Sequence, residues 1–402
     1  MERVSQPRRI LRVGHVRAAN RAAVLRLLRR HRQLSRAELA RRTSLSEAAV
    51  SRIIAELMAQ DLIVALGSGP ETGGRPGVRL ALNEDRFKAI GVDIQNWETR
   101  VSLGTVTGRV LATDRFRTPS NPLEALARIA ASIGPISDGL THPAAGIGVS
   151  THGLVDSRTG IAELGNNPAW IHVEMGAYLA SRTGMPVFVE NDVRAAALAE
   201  SVFGSADVQG AHCLLFLTVG EGVGMAIVLN DKVYRGPRMA AGEIGQMVIA
   251  DRGGPERYDR PGCLEMLSSD VATCERYNAL AGTKLRTSSN SCTQQMGQIC
   301  QLAMEGDAAA RGAINESARY LGIGIGNAVW ALDADAVVIN GTLTEAWPLV
   351  SAAIREQFPE GPQFLNFRNL VLRPSALGGE ASLIGAITVP FAPLFASEDG
   401  PI

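Results

Sequence analysis

Ser35-Arg-Ala-Glu-Leu-Ala-Arg-Arg-Thr-Ser-Leu-Ser-Glu-Ala-Ala-Val-Ser-Arg-Ile-Ile54 contains two helix starts separated by a turn. Ser35 and Glu38 have capping-box spacing: the serine accepts from the third backbone N–H and the glutamate reaches back. A short helix over 36–42 follows, burying Leu39 and Ala40, and Thr43-Ser-Leu45 makes the turn. Ser46 then caps a second helix of about 14 residues, with Val50, Ile53, Ile54, Leu57 and Met58 facing inward. Two helices split by a short turn form a helix-turn-helix. The second leaves Ser46, Glu47, Ala48, Ser51 and Arg52 outward near its N-terminus, where a recognition helix touches base edges. Small residues there let the helix sit deep in the groove, and Arg52 suits guanine or phosphate.

Outward from this stretch, Ala22, Val24, Leu25, Leu27 and Leu28 form a helical stripe over 18–30,. Downstream, the apolar runs 61–66 and 78–82 flank a Gly/Pro-rich loop over 67–77, the pattern of a β-hairpin wing,. In Gly74-Arg-Pro-Gly77 the glycines admit close backbone approach and the proline holds an extended path. Arg75 is therefore expected to enter a narrow, A·T-rich minor groove.

Charge supports the same reading. The chain of 402 residues balances 40 basic against 40 acidic groups, but residues 1–82 hold 16 arginines, no lysine and six acids. That head carries +10 and the remaining body −10. A basic head on an acidic body points to a polyanionic partner, here a double-stranded DNA operator. A hydrophobic content of 46% suits a sizeable core spread over several domains,. The longest uninterrupted apolar run, Cys213-Leu-Leu-Phe-Leu217, is far short of the roughly 18–20 residues of a membrane span, so no membrane partner is expected. The Arg-rich start lacks the apolar stretch of a secretory signal. Five scattered cysteines fit a reducing compartment,. A cytoplasmic protein is expected.

Past Asn83 the periodicity changes. Apolar runs over 87–94 and 100–106, and a third opening near 108–111, read as strands. A helix from about 122 to 133 and a strand around 145–150 follow,. The theme repeats with strands at 214–218, 224–229 and 232–233, a long helix over 309–332 and a strand over 336–341. Two similar halves imply a duplicated α/β fold with a cleft between lobes.

Several ordered segments of this body resemble the ROK family of repressors and sugar kinases: Gly146-Ile-Gly-Val-Ser-Thr-His-Gly153, Asn166-Asn-Pro-Ala-Trp170, Val189-Glu-Asn-Asp192 before an alanine-rich helix, Gly242-Glu-Ile-Gly-Gln246 and Gly262-Cys-Leu-Glu265. The resemblance spans roughly 85–390, and the fused helix-turn-helix is what the repressor branch carries. It implies an α/β, two-lobed, actin-like sugar-kinase (ribonuclease H-like) domain behind a winged helix-turn-helix. The expected division is 1–82 for the DNA-binding domain, 83–192 for the first lobe (completed by a helix at about 379–395), and 193–378 for the second lobe, with the ligand cleft and oligomer contacts. A homodimer or homotetramer is implied.

By the same resemblance Asn167, Asn191, Asp192, Glu243 and Glu265 hold a sugar or sugar derivative, with backbone from Gly153. A ring of hydroxyls needs such convergent carboxylates and amides. Asp192 matches the kinase base, which would take a proton from the attacking hydroxyl. The nucleotide side departs from the kinases. Where they have Asp-x-Gly-Gly-Thr this chain has Asp93-Ile-Gln-Asn-Trp97, and bulky Gln95, Asn96 and Trp97 are expected to obstruct phosphate. The second loop, Thr218-Val-Gly-Glu-Gly-Val-Gly224, places acidic Glu221 beside any triphosphate. The zinc ligand positions read Gln246, Glu256, Tyr258 and Cys263, a poor tetrahedral set. No metal and no cofactor are expected, and Gln246 stands in for a sugar-facing histidine.

The expected function is a sugar-responsive regulator, most simply a repressor, that has lost kinase activity and has no catalytic residue. A ROK sugar kinase with a fused DNA-binding head is the alternative. A ligand-independent regulator controlled by a protein partner is a third reading.

Overall fold

The computed structural model describes residues 13–68, 77–164, 168–251, 260–282, 292–361 and 365–395. The head comprises α1 (Val13–His31), α2 (Arg36–Thr43), α3 (Glu47–Ala59) and a hairpin of β1 (Ile63–Ser68) and β2 (Val78–Leu82). Both serine caps form: Ser35 with Glu38 as a complete capping box on α2, and Ser46 accepting from the Ala49 N–H on α3. Ser44, in the left-handed region at φ 58°, turns the chain between them. The hairpin is antiparallel, and Leu34 adds a bridge to Leu80 that seats it on the helices. Arg75 lies outside the described residues.

The body contains two five-stranded sheets with matching order. In the first, β3 (Lys88–Ile94), β4 (Glu98–Thr105) and β5 (Val110–Arg117) run antiparallel. After α4 (Pro122–Ser137) comes β6 (Ile147–Thr151), parallel to β3. A small hairpin, β7 (Leu154–Asp156) and β8 (Ile161–Leu164), and α5 (Met175–Thr183) precede β9 (Val187–Asn191), parallel to β6. After α6 (Asp192–Phe203), β10 (Cys213–Val219), β11 (Val223–Leu229) and β12 (Lys232–Tyr234) repeat the antiparallel set. Then come α7 (Leu264–Ser268), α8 (Asp270–Ala281), α9 (Cys292–Glu305), α10 (Ala308–Leu332), β13 (Ala336–Asn340), α11 (Trp347–Arg355), α12 (Leu365–Arg368) and β14 (Val371–Pro374). β13 lies parallel to β10 and β14 parallel to β13, which completes the second sheet.

The chain returns through α13 (Ala381–Thr388) and α14 (Ala392–Phe395). α13 packs on β3, β4 and β6, and pairs with α6, which lies on β10 and β11 of the other sheet. Two glycines permit the close fit. A Cβ at Gly148 would stand 1.9 Å from the Ala386 carbonyl oxygen, and one at Gly385 would stand 2.1 Å from that of Ala195. The stretch Gly378–Phe395 is long and apolar enough to cross a membrane by length and composition alone. Its apolar residues are core: Ala381, Leu383, Ala386 and Ile387 are all buried.

The head does not hang on a linker. Its helices share one buried cluster with Ala89 and Val106 of the first lobe and with Leu383, Ile387, Phe391 and Phe395. Burial of this kind stabilises by about 25 cal/mol per Å² of apolar surface, so the head is packed as part of the first lobe.

Candidate nucleic-acid interface and effector site

On the head, Ser46, Ala48, Ser51 and Arg52 are all exposed on the first turns of α3, as is Glu47. The Ser46 hydroxyl accepts from the Ala49 N–H at 3.2 Å, so its lone pair caps the helix while its own proton stays available,. The wing strand is tied to α2 by Arg79 and Glu38, 2.5 Å apart. Arg41 and Arg42, which the sequence reading passed over, are exposed near the end of α2. Exposed position in a basic segment was the available signal.

The +10 of the head is not all available to DNA. Arg26 donates to the Phe395 carbonyl at 2.7 Å, Arg30 pairs with Asp231 at 2.8 Å, and Arg32 donates to the Thr107 carbonyl. Arg29 is buried, with its guanidinium 3.9 Å over the Phe395 ring, and burial lowers its pKa to about 9. Counting charge along the chain could not distinguish these side chains from those facing a polyanion.

In the body the described residues of the expected sugar site come from four segments. Asn191 ends β9 and caps α6, its side-chain oxygen accepting from the Arg194 N–H at 3.1 Å. Its amide donates to the Gly153 carbonyl at 3.0 Å and to Asp192 Oδ1 at 2.9 Å. Both amide protons are thereby engaged, so Asn191 braces Asp192 and Gly153 and has only acceptor capacity left for a ligand. Gly153 itself has φ 87°, which its turn requires,. Asp192 also accepts from the Val193 N–H at 2.9 Å. Burial chiefly, and the nearby charge of Asp93, push its carboxyl up to about 6 against the pull of that N–H and of Arg194.

Glu243 and Gln246 are exposed at the two ends of a single turn after Gly242. Although open to solvent, Glu243 is crowded enough for desolvation, with the charge of Glu265, to raise its carboxyl despite Arg194. Gly242, at φ 95°, brings that turn so close to β11 that a Cβ would meet the Met225 carbonyl at 2.0 Å. Glu265 Oε2 accepts from the Val223 N–H at 3.0 Å. Arg194 lies within the electrostatic reach of both Asp192 and Glu243. It is itself held by Glu190, which also binds Arg235 at 2.7 Å. Asn167 lies outside the described residues.

On the side read as the nucleotide site, the Asp93 carboxylate is engaged by specific partners. Asp93 is fully buried, with Arg100 Nη2 2.7 Å from Oδ2, and Gln95 and Ser382 donating to Oδ1 at 2.9 and 2.6 Å. Trp97 is not what fills this place: it is 65% exposed and stands in solvent. The groups that engage Asp93 are Gln95 and Arg100, which can donate to both carboxylate oxygens as a single indole N–H could not,. Across the cleft Asn96 donates to Glu221 at 3.3 Å, joining the two former phosphate loops. Gly222 leaves room for Glu265, whose carboxylate would be 2.7 Å from an added Cβ. This glycine serves protein packing, and the Val223 N–H that could have met phosphate is taken. Burial and Glu221 push Asp270 up to about 7 beside the same loop.

Of the four zinc positions, Glu256 and Tyr258 lie outside the described residues. Cys263 is buried at the start of α7 and Gln246 is exposed. Backbone contacts hold this region: Val248 bridges Cys263, and the Ile249 N–H donates to the Gly262 carbonyl at 2.9 Å.

Comparison with known proteins places these sites in context. Residues 89–390 match the ROK family, and residues 18–71 match the MarR family. The chain is similar to a putative xylose repressor of Caldicellulosiruptor sp. (strain Rt8B.4), with 28% identity covering 96% of this chain and 98% of that protein. It is also similar to the DNA-binding transcriptional dual regulator NagC of Escherichia coli K12, 29% identical over 85% of each chain. Among solved structures, a ROK family transcriptional regulator described as a homologue of the E. coli MLC protein superposes with a TM-score of 0.74. Identity is 25%, covering 95% of this chain and 97% of that one.

Proposed function

The chain belongs to the ROK family, with a MarR-type winged helix at its head, and we propose that it is a sugar-responsive DNA-binding transcriptional regulator acting as a repressor without kinase activity. The observation that carries this reading is the engagement of Asp93 by Arg100, Gln95 and Ser382 in a body whose first lobe is packed against a head that leaves one face of α3 exposed. A protein that bound nucleotide there would first have to desolvate and break a buried, hydrogen-bonded ion pair.

In this reading α3 enters the major groove with Ser46, Ala48, Ser51 and Arg52 at base edges, and Arg75 reaches the minor groove. Arg41 and Arg42 contact phosphate. The effector is a sugar or sugar derivative held by Asp192, Glu243, Gln246 and Glu265, with Asn167, Asn191 and Gly153 completing the site. Asp192 accepts from a hydroxyl and transfers no proton. No metal or cofactor takes part. The protein works in the cytoplasm as a homodimer or homotetramer, with 1–82, 83–192 plus 379–395, and 193–378 as its divisions and the second lobe at the oligomer contact. Two-fold symmetry then sets two recognition helices about one turn of DNA apart, or a multiple of it. An effector releases DNA only if it binds the DNA-incompetent arrangement more tightly.

The test is a gel shift on an operator fragment selected from random-sequence DNA, repeated with a panel of neutral sugars, amino sugars and sugar phosphates. Release by one class supports the reading, and indifference to all of them overturns its sugar-responsive part. The kinase alternative has one observation in its favour: a carboxyl at about 6 suits a base,. ADP release that depends on sugar and is abolished by Asp192→Asn would establish it.

A further inference from the structure

The last two turns of α1 span the boundary between the lobes. Arg26 reaches the Phe395 carbonyl and Arg29 stacks on the Phe395 ring, at the end of the α13–α14 return that packs on the first sheet. Arg32 reaches the Thr107 carbonyl, just past β4. These contacts belong to the first lobe. On the other side, Phe203 ends α6, the helix lying on β10 and β11, and the guanidiniums of Arg29 and Arg32 stand 5.9 and 5.2 Å from its ring. Arg30 pairs with Asp231 in the turn between β11 and β12, and also crosses Gly210, just before β10.

We propose that the end of α1 is the element that passes lobe movement to the DNA-binding head, and that the Arg30–Asp231 pair is the contact made in the DNA-competent arrangement and lost in the other. The proposal rests on the regulator reading above and names its transmission. The head shares its core with the first lobe, so the two move as one body. Within α1 and α3, Arg17 pairs with Glu56 and keeps α1 in register with the recognition helix. A rotation between lobes is therefore felt by the head as a displacement against the second lobe. Where the second lobe forms the oligomer contact, that displacement changes the separation of two recognition helices.

The contacts differ in what they can do. Arg29 is buried closest to Phe395, and Arg26 and Arg32 bind backbone carbonyls, so these arginines hold α1 chiefly to the first lobe, with the Phe203 ring a longer contact of Arg29 and Arg32. Arg30 and Asp231 retain 23% and 40% side-chain exposure. An exposed pair adds little net stability, so it can open and re-form as lobes move. Its position is nonetheless fixed: Asn230 and Asp231 have φ 50° and 64°, a tight two-residue hairpin turn,. A movable contact held at a rigid turn marks one arrangement without locking it.

The test uses the full-length protein and an operator fragment selected from random-sequence DNA. Asp231→Asn keeps the left-handed preference of the turn and removes the charge; Asp231→Lys reverses it. Both are expected to weaken operator binding about three- to ten-fold while leaving binding to non-specific DNA unchanged or, for the lysine, strengthened. An added positive charge by itself attracts DNA, so weaker operator binding by Asp231→Lys separates transmission from bulk electrostatics. Arg30→Glu with Asp231→Lys should restore affinity towards wild type. Single variants that melt like wild type and bind operator equally well would overturn the proposal, as would a double variant no better than Asp231→Lys alone. Failure of the wild-type protein to select any operator would instead overturn the regulator reading and this proposal with it.

Discussion

Arg100 Nη2 lies 2.7 Å from Asp93 Oδ2, with the two side chains 9% and 0% exposed, at the start of the segment that stands where the kinases carry Asp-x-Gly-Gly-Thr. The pair is itself bracketed. Arg100 Nη1 reaches Glu380 at 2.6 Å, and Ser382 donates to Asp93, so the start of α13 closes over it. Breaking a buried pair by removing one partner leaves an uncompensated charge, which costs about 3–5 kcal/mol. Arg100→Met is expected to lose stability of that order in urea unfolding. The double variant Asp93→Leu with Arg100→Met should recover most of the loss, since no lone buried charge remains and Glu380, half-exposed, is left to solvent. A single variant as stable as wild type would show that the pair contributes nothing.

The carboxyl of Asp192 is raised from 3.8 to about 6, chiefly by burial and by Asp93. The folded protein therefore holds this proton more tightly than the unfolded chain. Its contribution to stability is fully present below about pH 4 and is lost as pH rises through about 6. Asp192→Asn removes that loss, so it should be neutral or stabilising at pH 7, by up to about 1–3 kcal/mol. Effector binding should run the opposite way. A sugar hydroxyl donating to the carboxylate favours the ionised form, so affinity in calorimetric titration should rise about ten-fold from pH 5 to pH 7. In Asp192→Asn that rise should vanish.

Arginines of the head should divide by what they already touch. Arg52→Ala should cost about 1–3 kcal/mol of specific operator binding if it reads a base edge. Arg41→Gln should weaken binding to all sequences and lower the slope of affinity against salt by about one ion. Arg26→Gln should leave the salt slope unchanged, because that guanidinium is engaged by the Phe395 carbonyl. Equal slopes for Arg26→Gln and Arg41→Gln would contradict this division.

Gly242→Ala should damage both stability and effector binding. A left-handed residue with a side chain costs about 1–3 kcal/mol, and here the added Cβ would also face the Met225 carbonyl at 2.0 Å. The turn presenting Glu243 and Gln246 would have to move. Thermal unfolding should show a lower midpoint, and calorimetry a loss of sugar affinity larger than that of Gln246→Ala alone.

Much of the head was legible because its signals are local. Ser35 with Glu38, and Ser46 with the Ala49 N–H, are contacts between residues three apart, so spacing alone reveals them. The helix expected over 36–42 is found at Arg36–Thr43, and the strand-rich halves of the body appear in the expected sequence. Trp97 misled because the replacement of a threonine by a large residue says nothing about where its side chain points. Asn191 could be picked out from its motif but not seen to be a brace, since its partners at Gly153 and Arg194 become visible only when β9 and α6 are in place. The arginines of α1 misled for a related reason: a helix face carries charge whether water, DNA or another domain covers it.

The sequence by itself determined the helix starts, the alternation of strands, the repeat of the two halves and the order of the site segments, because these depend on hydrogen bonds and periodicities reaching a few residues along the chain. Only the tertiary structure decided which charges are free. Ser382 meets Asp93 across 289 residues, Arg26 meets Phe395 across 369, and Arg30 meets Asp231 across 201. Each partner is chosen by the packing of α13, α14 and the second sheet against the rest. Burial then determines what a charge is worth, since a guanidinium or carboxylate removed from water must take the nearest protein partner. That choice, made far away in the chain, engages the Asp93 carboxylate and turns one end of a basic helix towards the body.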